Sequence, residues 1–258
     1  MSSAFGKFSD SCNVLTNVRL YEFPFPIGIS RPCLPDDIYA ELVTARPPWE
    51  YIAGDKKDYD NKRYDLCGMR AYRDENIAQI WKDFIIYHLS PSFYVQIVNK
   101  FGGFFEQYYP EIDFTKLKPA PRNSDMEGDI YLDCQIGINT PAKTKGTVSK
   151  PHLDGPESVW AAMLYMKEPD DNAGGHLRVY KCRDLPIDKG ERIMDEAGLI
   201  ESAKFLYNPN MLVSFVNTPF SIHSVTEREI TEKPRLFVNF TLEFKGRKFF
   251  SMDRMRNV

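Results

Sequence analysis

The sequence predicts an α+β chain with a mainly β core: a double-stranded β-helix, or jelly roll, carried on a helical N-terminal layer. Three observations support this. After residue 128, short runs rich in Val, Ile, Phe, Tyr and Leu cover 129–138, 158–166, 176–181, 211–216 and 235–244, with Gly, Pro, Asn and Asp between them. Many short strands of this kind build sandwiches and jelly rolls. Before residue 128, apolar positions recur at helical spacing, as in Ile77, Ile80, Trp81, Phe84, Ile85 and Leu89. Finally, 258 residues with 43% hydrophobic and 14% aromatic side chains suffice to bury a large core. We read a single domain, 1–258, with a helical support region over 1–127 and the β-helix over 128–258.

Taken in order, residues 18–30 alternate apolar positions broken by proline, which predicts an edge strand or extended arm. Pro35-Asp36-Asp37 opens a helix whose apolar positions are Ile38, Leu42 and Val43, since Pro and acids favour a helix start. Pro47-Pro48 ends it. The polar stretch 50–70 reads as a long loop and a candidate lid. Helices follow over 74–89 and 92–107, the second punctuated by Gly102-Gly103. The charged segment 183–209 reads as an insertion of helical composition between core strands.

Charge excludes some functions. A net charge of -3 without a basic run gives no electrostatic case for nucleic acid or a membrane surface. The start, MSSAFGKFSD, lacks a basic segment followed by an apolar one, and the longest apolar runs are short pieces such as FIIY. The expectation is a cytoplasmic protein. Five cysteines (Cys12, Cys33, Cys67, Cys134, Cys182) without a CxxC pair predict free thiols rather than zinc or disulfides. The aromatic content and the Phe249-Phe250 pair leave monomer and homodimer both open.

The chemistry is concentrated in His152-Leu153-Asp154. On an extended strand, residues two apart point the same way, so one imidazole and one carboxylate face one point. His223, about 70 residues on and following an apolar strand, supplies a second imidazole from elsewhere in the β-rich half. Two His and one carboxylate on one face leave open positions, the arrangement non-haem Fe(II) oxygenases use. Twelve positions after His223, Arg235 begins another strand. A guanidinium there grips a carboxylate through two parallel hydrogen bonds, as a metal-chelating dicarboxylate requires. Alternation puts Arg235, Phe237 and Asn239 on one face.

These residues resemble the iron/2-oxoglutarate dioxygenase superfamily, and most of all its prolyl-4-hydroxylase-like branch. The resemblance spans roughly 130–245: HLD, then VWAAMLYMKEPDDNAGGHLRVYK, MLVSFVNTPFSIHSV and RLFVNFTLEF. It implies Fe(II) held by His152, Asp154 and His223, with 2-oxoglutarate as co-substrate and O2 as oxidant. Arg235 would bind the far carboxylate of 2-oxoglutarate, helped by the Tyr165 hydroxyl, and Gln135 and Asn139 on the strand before HxD would face the co-substrate. It implies hydroxylation of an unactivated C–H in a small-molecule or amino-acid-type substrate, releasing succinate and CO2. Related halogenases carry a small residue in place of the carboxylate, so Asp154 favours hydroxylation or another oxidation over halogenation. The gap from His223 to Arg235 is slightly longer than the family's and predicts a longer turn through Glu227–Pro234.

Plainer readings apply elsewhere. His88 lies on an apolar helix face and reads as structural, as does His176 after Gly174-Gly175. Trp160 and Met163 read as strand packing, Asp170-Asp171 as turn chemistry, and Lys143, Lys145 and Lys150 as a solvated loop. Two other functional classes use the same residues: a jelly-roll hydrolase or isomerase with zinc or manganese, and a non-catalytic β-sandwich binding module. A simple hydrolase has no need of Arg235.

Overall fold

The computed structural model describes residues 5–54, 59–182 and 196–246. The N-terminal half supplies β1 (Arg19–Tyr21), β2 (Ile27–Ser30), α1 (Asp36–Thr44), α2 (Trp49–Ala53), β3 (Arg63–Leu66) and α3 (Gly68–Arg73). It continues with α4 (Gln79–His88), α5 (Pro91–Tyr108) and β4 (Pro119–Pro121). The second half supplies β5 (Ile130–Asn139), β6 (Ser158–Tyr165), β7 (Leu177–Cys182), β8 (Leu199–Phe205), β9 (Met211–Val216), β10 (His223–Val225) and β11 (Arg235–Glu243).

The strands form the two sheets of a double-stranded β-helix. The larger runs β1-β2-β9-β6-β11-β5-β3, with β4 added to β5 in parallel; the smaller runs β10-β7-β8. Period-2 alternation sorts the long strands onto two faces. Even positions of β5 and β11, among them Cys134, Ile136, Val238 and Phe240, pack against Trp81, Phe84, Phe93 and Phe101 of the helical layer in the main core. Odd positions face the smaller sheet, where Tyr165, Val179, Tyr207, Phe215 and Phe237 form a second core. Truncating a fully buried ring such as Phe84 to alanine costs about 3–5 kcal/mol. The helical layer therefore holds the large sheet from behind and leaves its inner face for chemistry.

Local signals explain most element ends. Ser90 caps α5 by accepting from the Phe93 N–H, with Pro91 at the first helical position. Gly102-Gly103 does not interrupt α5; nothing lies within 4 Å of a side chain added at either position, so the pair sits where packing makes no demand. His88 is the predicted core histidine: its Nδ1 donates to Phe84 O at 2.7 Å, and its Nε2 accepts from Val14 N at 3.3 Å. Burial pushes its pKa down to about 3. The 18–30 segment does supply the edge, as β1 and β2.

Three expectations require correction. The stretch 50–70 is not a loop throughout: it contains most of α2, then β3, which pairs with β5, and the start of α3. Within β3 the apolar signal is only Tyr64 and Leu66, which face the main core, while the exposed Arg63 and Asp65 alternate with them and hide the strand in a polar composition. In the 183–209 segment, 199–205 forms strand β8 against β7, because alternate contacts with β7 outweigh its helical composition; residues 183–195 lie outside the described residues. Asp170-Asp171 is more than turn chemistry, since Asp171 is fully buried and bound to Arg228. The Phe249-Phe250 pair lies outside the described residues. Among the described residues, no helix is long and apolar enough to cross a membrane.

Candidate metal centre and carboxylate pocket

The minor sheet brings the two histidines together. His152 and His223 form an antiparallel bridge, each N–H donating to the other's carbonyl (2.9 and 3.1 Å). Only His152 of the HxD motif pairs in this way; Leu153 and Asp154 continue without regular strand structure. The irregularity turns the Asp154 carboxylate toward both rings. Asp154 Oδ1 stands 3.8 Å from His152 Nε2 and 3.7 Å from His223 Nε2, and one ligand atom from each residue lies within 4.8 Å of the others. Among the described residues this is the group that could hold a metal ion.

The outer nitrogens fix which ring atoms face the centre. His223 Nδ1 donates to Ser221 O at 2.9 Å, and His152 Nδ1 donates to Lys150 O at 2.8 Å with Ser149 Oγ at 2.9 Å. With Nδ1 protonated, Nε2 presents its lone pair to the cluster, the tautomer a metal ligand requires. Sequence alone did not reveal these acceptors. Phe215 packs on the His223 ring at 4.7 Å and walls one side.

Arg235 lies deeper on the inner wall and is 1% exposed. Its Nε donates to Gly175 O at 2.8 Å, and one terminal nitrogen approaches Asn139 Oδ1 at 3.3 Å. Its other terminal nitrogen lies 3.7 Å from Met163 Sδ. The rings of Tyr165, Tyr207 and Phe237 surround the guanidinium at 5.0–5.2 Å. Among the described residues no carboxylate forms an ion pair with it, and burial is the largest influence lowering its pKa. A buried charge without a partner is costly. Two further polar atoms, Tyr165 OH and Asn139 Nδ2, are buried and meet no hydrogen-bond geometry among the described residues, with the Arg235 guanidinium beside the Tyr165 ring. Burial raises the Tyr165 pKa, and the Arg235 charge opposes that rise.

The register places the other predicted residues. Asn139 pairs with Arg235 across β5 and β11, and Tyr165 pairs with Phe237 across β6 and β11. Gln135 lies on the same inner face, opposite Asn239; its amide donates to Asp133 Oδ2 at 2.8 Å and accepts from Asn239 Nδ2 at 2.9 Å. His176 is tied locally: its N–H donates to Thr226 Oγ1, and its Nδ1 accepts from Tyr207 N at 3.0 Å. Trp160 faces the main core, but Met163 faces the pocket. Lys145 reaches Glu229 at 2.7 Å, within the exposed loop.

Three contributors escaped the sequence reading. Arg228, 1% exposed, forks onto Asp171 with three contacts of 3.2 Å and donates to Gly174 O and Lys233 O. This pair fastens the Gly174-Gly175 turn to the 226–234 segment, so the long interval between His223 and Arg235 is a pinned ribbon bridging Gly146 and Gly174. Its surroundings in sequence, Glu227-Arg228-Glu229, look like solvated charge. Gly175 has φ +79°, and a side chain there would meet Arg235 Cδ at 2.8 Å, so glycine permits the guanidinium to lie against the turn. Tyr207 locks the start of β11 by accepting from Leu236 N at 2.7 Å.

The arrangement offers a tridentate N,N,O donor set beside the smaller sheet and a buried cationic group on the inner face of the larger one. The fold is shared with solved enzymes. SnoK, a non-heme alpha ketoglutarate dependent carbocyclase from nogalamycin biosynthesis, matches with a TM-score of 0.50 at 10% identity, over 84% of this chain and 79% of that chain. SnoN, an alpha ketoglutarate dependent epimerase of the same biosynthesis, matches with a TM-score of 0.50 at 11% identity, over 84% and 76%. A prolyl-4-hydroxylase from Pseudomonas putida matches with a TM-score of 0.47 at 15% identity, over 85% and 92%. At such identities the likeness is one of fold, the two-sheeted jelly roll. No protein-family model and no curated protein matches the sequence.

Proposed function

We propose that this chain is an Fe(II)- and 2-oxoglutarate-dependent oxygenase that hydroxylates an unactivated C–H bond of a small-molecule or amino-acid-type substrate, with release of succinate and CO2. The observation that carries the reading is a His-Asp-His cluster on the smaller sheet together with a buried guanidinium on the inner face of the larger one that no carboxylate among the described residues neutralises. A hydrolytic metal site uses the first feature and has no use for the second.

The residues fit both groups. Nε2 of His152, Nε2 of His223 and the Asp154 carboxylate are the donor set of a non-haem iron site. Arg235, with the buried Tyr165 hydroxyl and Asn139 amide, would take the far carboxylate of 2-oxoglutarate. When bound, iron and 2-oxoglutarate supply the oxidising chemistry through O2. The chain's own work is placement. Lys150 O and Ser221 O hold the two rings in one tautomer, and Arg235 sets the direction of the co-substrate. Tyr165, Tyr207, Phe215 and Phe237 keep water from its flanks. SnoK and SnoN, named for 2-oxoglutarate-dependent reactions other than simple hydroxylation, support the co-substrate, while Asp154 favours hydroxylation or another oxidation over halogenation.

The test is O2-dependent conversion of 2-oxoglutarate to succinate by the purified chain with Fe(II), before any substrate is known. Wild type should turn over slowly, and His152→Ala and Asp154→Ala should show only background. Equal succinate from wild type and both variants would reject the proposal.

A further inference from the structure

The inner face of the larger sheet, on the strand that begins with Arg235, carries one oriented hydrogen-bond acceptor with no donor among the described residues. We propose that Asn239 Oδ1 is a substrate-recognition atom and that the site takes a substrate bearing a nitrogen hydrogen-bond donor, an amine or a primary amide. The inference rests on the oxygenase reading for its location and goes beyond it in naming what the substrate presents.

Location follows from register. Phe215, Ala161 and Thr241 form one rung across β9, β6 and β11, and Phe215 carries the His223 ring. Val213, Met163, Asn239 and Gln135 form the next rung, and Met163 touches Arg235. Successive rungs are two residues, about 7 Å, apart along a strand. Along the strand direction Asn239 therefore stands one rung from the level of Phe215, which packs on His223, and two rungs from Arg235. Its neighbours on the wall, Gln135, Met163, Thr241 and Glu243, are half-buried, so the inner face opens here.

Orientation follows from a relay that begins at Asp133. This carboxylate is 1% exposed and accepts from Gly68 N, Cys134 N and Gln135 Nε2 at 2.8–2.9 Å. A carboxylate in that setting only accepts, which forces Gln135 to point its nitrogen at Asp133 and its oxygen outward. Gln135 Oε1 in turn takes a hydrogen from Asn239 Nδ2 at 2.9 Å, which turns Asn239 Oδ1 away from the relay. Asn239 is 9% exposed, and no described residue donates to its Oδ1. That oxygen is not among the fully sealed polar atoms, so a ligand in the cavity can reach it. A buried amide oxygen left open in this way selects a donor and rejects a carboxylate.

Electrostatics favours nitrogen. The Arg235 end of the wall is basic, with Arg63 stacked on the other side of Phe237 at 5.1 Å. The opposite end carries Asp133 and Glu243, with Arg122 bound to Glu243 at 2.9 Å. The anionic co-substrate suits the first end, and a positively polarised N–H suits the second.

The test uses three probes of one size, n-butylamine, butyramide and butyrate, titrated calorimetrically into the full chain. Titrations are run metal-free and, under anaerobic conditions, with Fe(II) and 2-oxoglutarate. The amine and amide should bind about tenfold tighter than butyrate, the discrimination a buried acceptor imposes. Asn239→Leu should abolish that preference. Gln135→Met, which releases the amide to rotate, should narrow it, and circular dichroism checks the fold of each variant. Butyrate binding as tightly as the amine to the chain whose Arg235 is occupied by 2-oxoglutarate, a preference surviving Asn239→Leu, or no probe binding at all would overturn the proposal. The metal-free arm separates the two claims: a donor preference without Fe(II) and 2-oxoglutarate binding rejects the oxygenase reading alone, and the converse rejects this inference alone.

Discussion

Arg235→Met is the perturbation whose outcome differs most between a binding residue and a structural one. In the ligand-free chain the guanidinium is 1% exposed, and its closest hydrogen bond goes to Gly175 O at 2.8 Å. Removing it forfeits that bond and leaves Gly175 O and Asn139 Oδ1 short of a donor, at a cost of about 1–3 kcal/mol each. Removing it also relieves the burial of an unneutralised charge, a penalty of several kcal/mol. These nearly cancel, so the ligand-free variant should unfold in urea within about 2 kcal/mol of wild type. Binding has no such cancellation. Truncating one side of a buried charge pair costs about 2–5 kcal/mol, roughly 30- to 4,000-fold in affinity for 2-oxoglutarate. Anaerobic calorimetry of the Fe(II)-loaded chain reads the affinity. A loss of more than about 4 kcal/mol in stability with unchanged 2-oxoglutarate affinity would show Arg235 to be structural and refute the reasoning.

Other residues give narrower tests. Tyr165→Phe removes a buried hydroxyl without a well-formed hydrogen bond among the described residues, so ligand-free stability should hold or rise slightly. Affinity for 2-oxoglutarate should fall by the ~1.5–3 kcal/mol of a hydrogen bond to a charged group, as the same calorimetry reads. Asp171→Ala strands Arg228 as a buried unpaired cation and should cost about 3–5 kcal/mol in urea unfolding, whereas Asp171→Leu with Arg228→Met should recover most of it. Because the folded His88 pKa, about 3, lies below its ordinary 6.5, its contribution is complete above pH 6.5 and is lost as pH falls toward 3. Between pH 8 and 5.5 wild type should lose about 1.4 kcal/mol more than His88→Leu, and identical losses would contradict the burial account.

The strands that hold the site were legible because they alternate over many residues with strongly apolar even positions, as Leu236, Val238 and Phe240 do on β11. The convergence of His152, Asp154 and His223 was legible because a two-residue spacing and a distant histidine are topological facts, even though Asp154 reaches the cluster from irregular backbone. What escaped depends on partners remote in sequence. β3 offers only two apolar positions, and β8 is defined by β7. Asp171 and Arg228 sit among exposed charges in the sequence, and their burial comes from the closing of two loops upon each other. The orientation of Asn239 is set two amides away by Asp133, through bonds that no spacing rule encodes.

The account's central claim is that His152, Asp154 and His223 hold iron while Arg235 holds 2-oxoglutarate on it. Anaerobic titration of the purified chain with Fe(II) and 2-oxoglutarate tests this directly through the weak visible charge-transfer band of a metal-chelated 2-oxo acid. The account predicts the band in wild type, its disappearance in His152→Ala, and a need for far more 2-oxoglutarate in Arg235→Met. No band in wild type, or a band that survives His152→Ala unchanged, would contradict it.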